Sequence, residues 1–222
     1  MSSVFTLPDA TAGHDLQVML GRAARLDEGA AVRLIIDSGV LAVYVAVIHP
    51  RGLLDRGPTV LGLRTLEASG DDVDVVVPLR SLQARVDAAL ASATEGGIPI
   101  AMPTSVNTVV WAAISPPRGG WQRMQPIEAA LLESTARAGI DEIAEAVPEG
   151  LGAELVHRVR SEVWGRPIDG LDHVPAGVAF AALSLGFLGD DPVEQFASGS
   201  WLRLSTERGH VLVKQAGWSL SR

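Results

Sequence analysis

Cysteine is absent from the 222 residues, and lysine occurs once, at Lys214, against seventeen arginines. Without a thiol, thiolate nucleophiles, thiol redox chemistry, cysteine-ligated zinc and iron–sulfur clusters are excluded. A Walker-type phosphate loop needs Gly-Lys followed by Ser or Thr, whereas Lys214 stands in Val211-Leu212-Val213-Lys214-Gln215. Long apolar runs are missing too. The longest nearly uncharged stretch, Val174 to Gly189, contains Pro175 and internal glycines and falls short of the ~20 residues that span a bilayer. It reads as a central helix buried on all sides. The N-terminal Met1-Ser2-Ser3-Val4-Phe5 has neither the basic region nor the apolar core of a secretory signal, so the expected compartment is the cytoplasm.

What is present bounds the protein class. An apolar fraction of 47% with 20% charged residues is that of a globular chain, and the length allows one large domain or two small ones. Arginine in place of lysine, with abundant Ala, Val and Gly, points to a high-GC bacterial coding sequence and carries no functional weight. The formal charge of −8 argues against attraction of the whole protein to nucleic acid or to anionic membranes.

The periodicities predict an α+β fold. Leu16, Met19, Leu20 and Ala23 mark one face of a helix over Asp15 to Leu26. Two β-branched runs, Val32 to Ile36 and Val40 to Ile48, flank Asp37-Ser38-Gly39, which reads as a three-residue hairpin loop; the second run is apolar on both faces and belongs inside a sheet. Strands at Thr59 to Leu66 and Val73 to Val77 complete an antiparallel or mixed sheet, and Pro78 opens a covering helix bearing Leu79, Leu82, Val86 and Leu90. Ile98 to Met102, limited to an edge by its prolines, and Val106 to Ile114 are expected as further strands. The diproline and double glycine of Ser115-Pro116-Pro117-Arg118-Gly119-Gly120-Trp121 place a boundary there, dividing the chain into an α+β sheet subdomain, 1–115, and a mainly helical subdomain, 116–222. Beyond it, Pro126 starts a helix with Ile127 and Leu131 that Gly139 should interrupt. A second helix carries Leu155, Val156, Val159 and Val163, the apolar helix follows, and Trp201 to Ser205 with His210 to Lys214 form a terminal hairpin.

Helix, helix, helix, hairpin is the order of a winged-helix module, but the would-be reading helix, Pro175 to Leu188, has no Arg, Lys, Asn or Gln, and Glu128 to Glu154 is acidic. A winged-helix-like shape used for packing or protein contact fits; base reading does not. A nucleic-acid role remains as an alternative through the hairpin, where Trp201, Arg203, Arg208, Lys214 and Arg222 give a local positive balance.

The catalytic templates fail one by one. The five histidines, His14, His49, His157, His173 and His210, form no H-E-x-x-H or other zinc spacing. No G-x-S-x-G occurs, Gly150-Leu151-Gly152 lacks the third glycine of a dinucleotide loop, and the lysine strand at Val211 is followed by no catalytic loop. Asp71-Asp72-Val73-Asp74 reads as a solvated turn. No cofactor or metal is expected. The candidate binding residues are Arg118, Trp121 and Arg123, where glycines permit close backbone approach and arginine pairs with carboxylate or phosphate, together with His173 and Arg203. The expectation is a non-catalytic binding or protein-interaction module, with a protein partner or a second copy of itself, as in a homodimer, ahead of a small molecule. The alternative is a hydrolase or transferase using His173 with carboxylate or arginine groups assembled by folding.

Overall fold

The computed structural model describes residues 3–50, 55, 57–93, 96–106, 109–148 and 152–214. They form two compact units: residues up to Ala46 with Gly62–Ser115, and Val47–Leu61 with the residues from Pro116 onward. The second unit therefore takes in an excursion from the N-terminal half of the chain. The class is α+β, as the periodicities predict.

The first unit is built from β1 (Val4–Leu7), α1 (Ala10–Leu26), β2 (Ala31–Asp37), β3 (Val40–Ile48), β4 (Thr59–Glu67), β5 (Val73–Pro78), α2 (Leu79–Ala91) and β6 (Ile98–Ala101). Its strands run in the order β5-β2-β3-β4, and β1 pairs with β6 in a separate antiparallel ribbon. Alternation buries Val32, Leu34 and Ile36 of β2 and Leu41, Val43 and Val45 of β3. Leu16, Met19 and Leu20 of α1 and Leu79, Leu82 and Val86 of α2 are buried too, each large aliphatic side chain contributing about 1.5–3 kcal/mol relative to exposure.

Three local expectations change. The β2–β3 connection has two residues, because Asp37 pairs directly with Val40. Ser38 and Gly39 take φ of 53° and 81°, as a type I′ turn requires. Helix α1 starts earlier than its apolar stripe, at Ala10, where the Asp9 carboxylate accepts from the Ala12 amide at 2.9 Å. The expected strand from Val106 to Ile114 is not seen among the described residues. Val106 donates to the Val76 carbonyl at 2.8 Å, and Val110–Ala113 forms one 3-10 turn that buries Trp111 and leaves Val110 exposed. Arg33 of β2 fixes this turn by donating to the Ala112 carbonyl and the Ser115 hydroxyl, both at 2.9 Å. The same guanidinium grips Asp74 through both carboxylate oxygens at 2.8 and 2.7 Å, so Asp74 is a paired member of an acidic run that stays exposed to solvent.

The second unit holds β7 (Gln122–Arg123), α3 (Ala129–Ala146), α4 (Ala153–Gly165), β8 (Pro167–Ile168), β9 (Leu171–Pro175), α5 (Ala176–Leu185), β10 (Glu194–Ser198), β11 (Trp201–Thr206) and β12 (Gly209–Lys214). Its strand order is β12-β11-β10-β7, all antiparallel. Helix α5 is the apolar central helix, buried along nearly its whole length and closed by Gly186 in the left-handed region at φ 73°. Gly139 does not break α3. A Cβ there would lie 2.4 Å from Trp164 Cζ3, so its empty side-chain position admits the Trp164 ring, which stacks on Phe180 of α5 at 4.4 Å. Packing against the indole outweighs the roughly 1 kcal/mol helix penalty of glycine. The β8–β9 hairpin stands between α4 and α5, and β11–β12 is part of a larger sheet. The uninterrupted helix order that suggested a winged-helix-like shape is therefore not what these residues form.

Candidate functional site

The sheet of the second unit presents two chemically different faces, and antiparallel register decides which residue lies on which. Residues directly opposite one another share a face. Arg123, Phe196, Arg203 and Leu212 therefore stand in one row across β7, β10, β11 and β12, flanked by Glu194, Ser205 and His210; at its β12 end the row is covered, since Leu212 is buried. Gln195, Leu204 and Val211 form the alternate row and are buried on the inner face.

On the outer face the Arg203 guanidinium lies between two rings. Its Cζ is 4.7 Å from the centroid of Trp121 and 4.5 Å from that of Phe196, within cation–π reach of both. Trp121 is anchored by donating its indole N–H to the Pro117 carbonyl at 3.1 Å, and the adjoining loop is tied down where Ser198 Oγ donates to the Gly119 carbonyl at 3.3 Å. Arg203 Nε is buried without a hydrogen-bond partner, and among the described residues no carboxylate pairs with this guanidinium. Burial pushes its pKa below the ordinary arginine value, although it stays charged at neutral pH. Its neighbour Arg123 is settled differently, with Nε and one terminal nitrogen each donating to a Glu194 carboxylate oxygen at 2.7 Å. That contact raises the arginine pKa and holds the Glu194 carboxyl below its usual value. Phe196 and Glu194 continue into a cavity of about 520 Å³ bounded also by Phe187, Asp190, Asp191 and Glu207.

A larger groove, about 880 Å³, runs beside α4 and also receives Asp55, Pro58 and the β8–β9 hairpin. His157 Nε2–H donates to Asp55 Oδ2 at 2.8 Å, and Ser161 Oγ lies 3.4 Å from that same nitrogen. Arg166 donates to Glu142 at 2.7 and 3.0 Å and to Glu162 at 3.1 Å; the Glu142 contact is the main cause of its raised pKa. His173 lines the groove, and its Nε2 accepts from Gln195 Nε2 at 2.7 Å. Accepting there leaves the ring proton on Nδ1. A seryl nucleophile needs the base on one imidazole nitrogen and the orienting carboxylate on the other. Here both partners crowd one nitrogen. Among the described residues, no group of three or more His, Cys, Asp or Glu is placed to hold a metal ion.

The five residues singled out in the sequence thus divide. Trp121, Arg123 and Arg203 meet on the outer face, joined by Phe196 and Glu194, which sequence reasoning missed. Arg118 lies exposed in the loop before Trp121. His173 attaches to Gln195 on the inner face, the opposite side of β10, and belongs to the α4 groove. Its companions there, Asp55, His157 and Ser161, carried no sequence signal, since Asp55 and His157 are 102 positions apart. Of the basic hairpin group, Arg208 donates to the Leu188 carbonyl at 2.8 Å, and Arg222 lies outside the described residues. No helix among those residues is long and apolar enough to cross a membrane.

Residues 1–106 match a family model described as Domain of unknown function (DUF8010), and residues 116–218 match one described as Domain of unknown function (DUF8185). No curated protein matches the sequence. Among solved structures, the chain is similar to DNA polymerase III subunit beta from Borrelia burgdorferi in complex with a natural product, with a TM-score of 0.52 and 9% identity over 99% of this chain and 66% of that one. It is also similar to the DNA polymerase sliding clamp from Caulobacter crescentus, with a TM-score of 0.48 and 12% identity over 99% and 67% of the two chains. For the sliding clamp from Pseudomonas aeruginosa bound to griselimycin the values are 0.44 and 15%, over 99% and 66%. The chain spans about two thirds of the length of these subunits. At 9% identity the Borrelia likeness establishes a shared α+β fold and nothing about activity.

Proposed function

We propose that the chain is a non-catalytic binding module, organised as two modules meeting near residues 115 and 116, which engages a protein partner through the outer face of the β7–β10–β11 sheet. One observation carries this reading: Arg203 lies within cation–π distance of both Trp121 and Phe196 with its Nε buried and unpartnered. A rigid, partly desolvated arginine flanked by aromatics is the side-chain chemistry enriched at the centres of protein interfaces. The fold agrees with such a role, since the Borrelia protein that shares it is named as a subunit of DNA polymerase III. The α4 groove supports the reading from the other side, because His157 is bonded to Asp55 and Arg166 to Glu142 and Glu162.

A second reading, a hydrolase or transferase, draws on the meeting of His157, Asp55, Ser161 and His173 in one groove. It is disfavoured by the shared Nε2 of His157. A fluorophosphonate probe tests the choice, since it labels an activated serine covalently. The binding reading predicts no adduct on Ser161. An adduct that disappears in His157→Ala would overturn it in favour of the enzyme.

A further inference from the structure

The charge left unsettled on the outer face indicates what the surface takes. Arg203 is the group to explain. Two rings lie 4.7 and 4.5 Å from its Cζ, its terminal nitrogens have no hydrogen-bond partner among the described residues, and the other arginine of this row, Arg123, is already held by Glu194. A planar guanidinium presents paired N–H donors that match a carboxylate or a phosphate in bidentate fashion.

The surroundings choose between these two. The cavity that Phe196 also lines carries Asp190, Asp191 and Glu207 against the single cation Arg208, which donates to the Leu188 carbonyl, so its lining is acidic on balance, and the whole chain has a formal charge of −8. A polyphosphate backbone laid across Arg203 would run into those carboxylates. A peptide that offers one carboxylate, then an apolar side chain over Phe196, then a basic group toward the acids meets an opposite charge at each end. We infer that the outer face of the β7–β10–β11 sheet binds a short peptide segment of a partner protein in which a Glu or Asp side chain reaches Arg203 and a nearby Lys or Arg side chain enters the cavity lined by Asp190, Asp191 and Glu207. The inference rests on the binding-module reading and names the chemistry of the segment the module takes.

The test is a titration of the full chain, followed through the Arg203 Nε–H and Trp121 indole N–H resonances, with the peptide Ser-Glu-Leu-Lys-Ser and its Ser-Gln-Leu-Lys-Ser counterpart. The Glu peptide should shift both resonances and saturate with a Kd near or below about 1 mM, as fits a contact of this size. The Gln peptide should bind about tenfold more weakly or worse, since a charge-assisted pair is lost. Arg203→Gln should lose a comparable factor, followed through Trp121, while Arg22→Gln on α1 leaves binding unchanged; equal melting temperatures would show that both variants fold. Equal binding of the Glu and Gln peptides at this face would overturn the carboxylate assignment and leave the binding-module reading standing. Absence of any shift with either peptide would sink the assignment and remove the outer face as the binding surface. A short single-stranded oligonucleotide that shifts the same resonances more strongly than the peptide, and loses that effect in Arg203→Gln, would replace it with a nucleic-acid site.

Discussion

In the α4 groove, His157 is paired with Asp55, His173 accepts from Gln195, and Arg166 is shared between Glu142 and Glu162. On the outer face of the neighbouring sheet, Arg203 packs on Trp121 and Phe196, and among the described residues no carboxylate pairs with it. Both regions contain arginine, acid and ring side chains, and by inventory alone the groove is the richer, with two imidazoles and a hydroxyl. The difference lies in what the fold has already used. Groups that satisfy one another hold elements in place: His157 and Asp55 fasten the 55–58 segment to α4. A desolvated cation left without a counter-ion is a cost to the free protein, and an arriving anion relieves it. Unspent interaction is therefore a better guide to a binding surface than the number of reactive residue types.

The comparison can be broken most severely through the packing on which the groove is built. Trp164 is fully buried between Gly139 and Phe180, and Trp164→Ala should cost about 3–5 kcal/mol, lowering the melting temperature by roughly 10 °C. A calorimetric scan showing a drop of a degree or two would mean that the helices do not depend on this stack. Gly139→Val should follow, at about 1–3 kcal/mol, because a side chain must enter the space of the indole. Circular dichroism would check that the loss comes from packing, with helix content kept before melting.

Pairing and its absence should next give different outcomes in the two regions. Asp55→Ala leaves the half-buried His157 with only the more distant Ser161 hydroxyl and should destabilise by about 1 kcal/mol, visible in urea unfolding as a lower midpoint at unchanged slope. Peptide binding at the outer face should not change. Arg203→Met removes a charge the fold leaves uncompensated while keeping an apolar stem between the rings; it should abolish the binding and leave stability level or slightly raised.

The smallest effect belongs to Arg123 and Glu194, which are solvent-exposed. The carboxyl of Glu194 is held below its ordinary pKa, first by the Arg123 hydrogen bond. A depressed carboxylate contributes stability that is present above its unfolded pKa and lost as pH falls through its folded value. Arg123→Gln should therefore leave the neutral-pH melting temperature unresolved from the parent, since solvent screens the pair. Any difference between the two proteins should vanish on acidification below the ordinary carboxylate range. A difference that grows in acid would contradict the assignment of that pair.

Much of this fold was legible because periodicity reports burial. The α4 stripe of Val156, Val159 and Val163, the alternation of β2, and the hairpin of β11 and β12 were all readable as one-sided or two-sided apolar patterns. Gly139 misled because a local helix preference of roughly 1 kcal/mol yields to a contact with Trp164, 25 positions later, that no local pattern displays. The strands β7, β8 and β10 are short or polar and exist through their partners, so Glu194-Gln195-Phe196 carries no strand signal of its own. The candidate site was legible in its ends and invisible in its middle. Trp121 and Arg203 stood out as residue types, but the register that sets Phe196 beneath Arg203, and the alternation that turns Gln195 and His173 to the other face, are properties of the assembled sheet.

The most direct test is differential scanning calorimetry of the parent chain and Arg203→Met, each with and without saturating Ser-Glu-Leu-Lys-Ser. If Arg203 is a cation awaiting an anion, the substituted protein melts at or above the parent temperature without peptide, and only the parent gains stability when peptide is added. A substituted protein that melts lower by about 1 kcal/mol or more without peptide, and gains as much as the parent with it, would show that Arg203 is a structural prop and that the binding surface lies elsewhere.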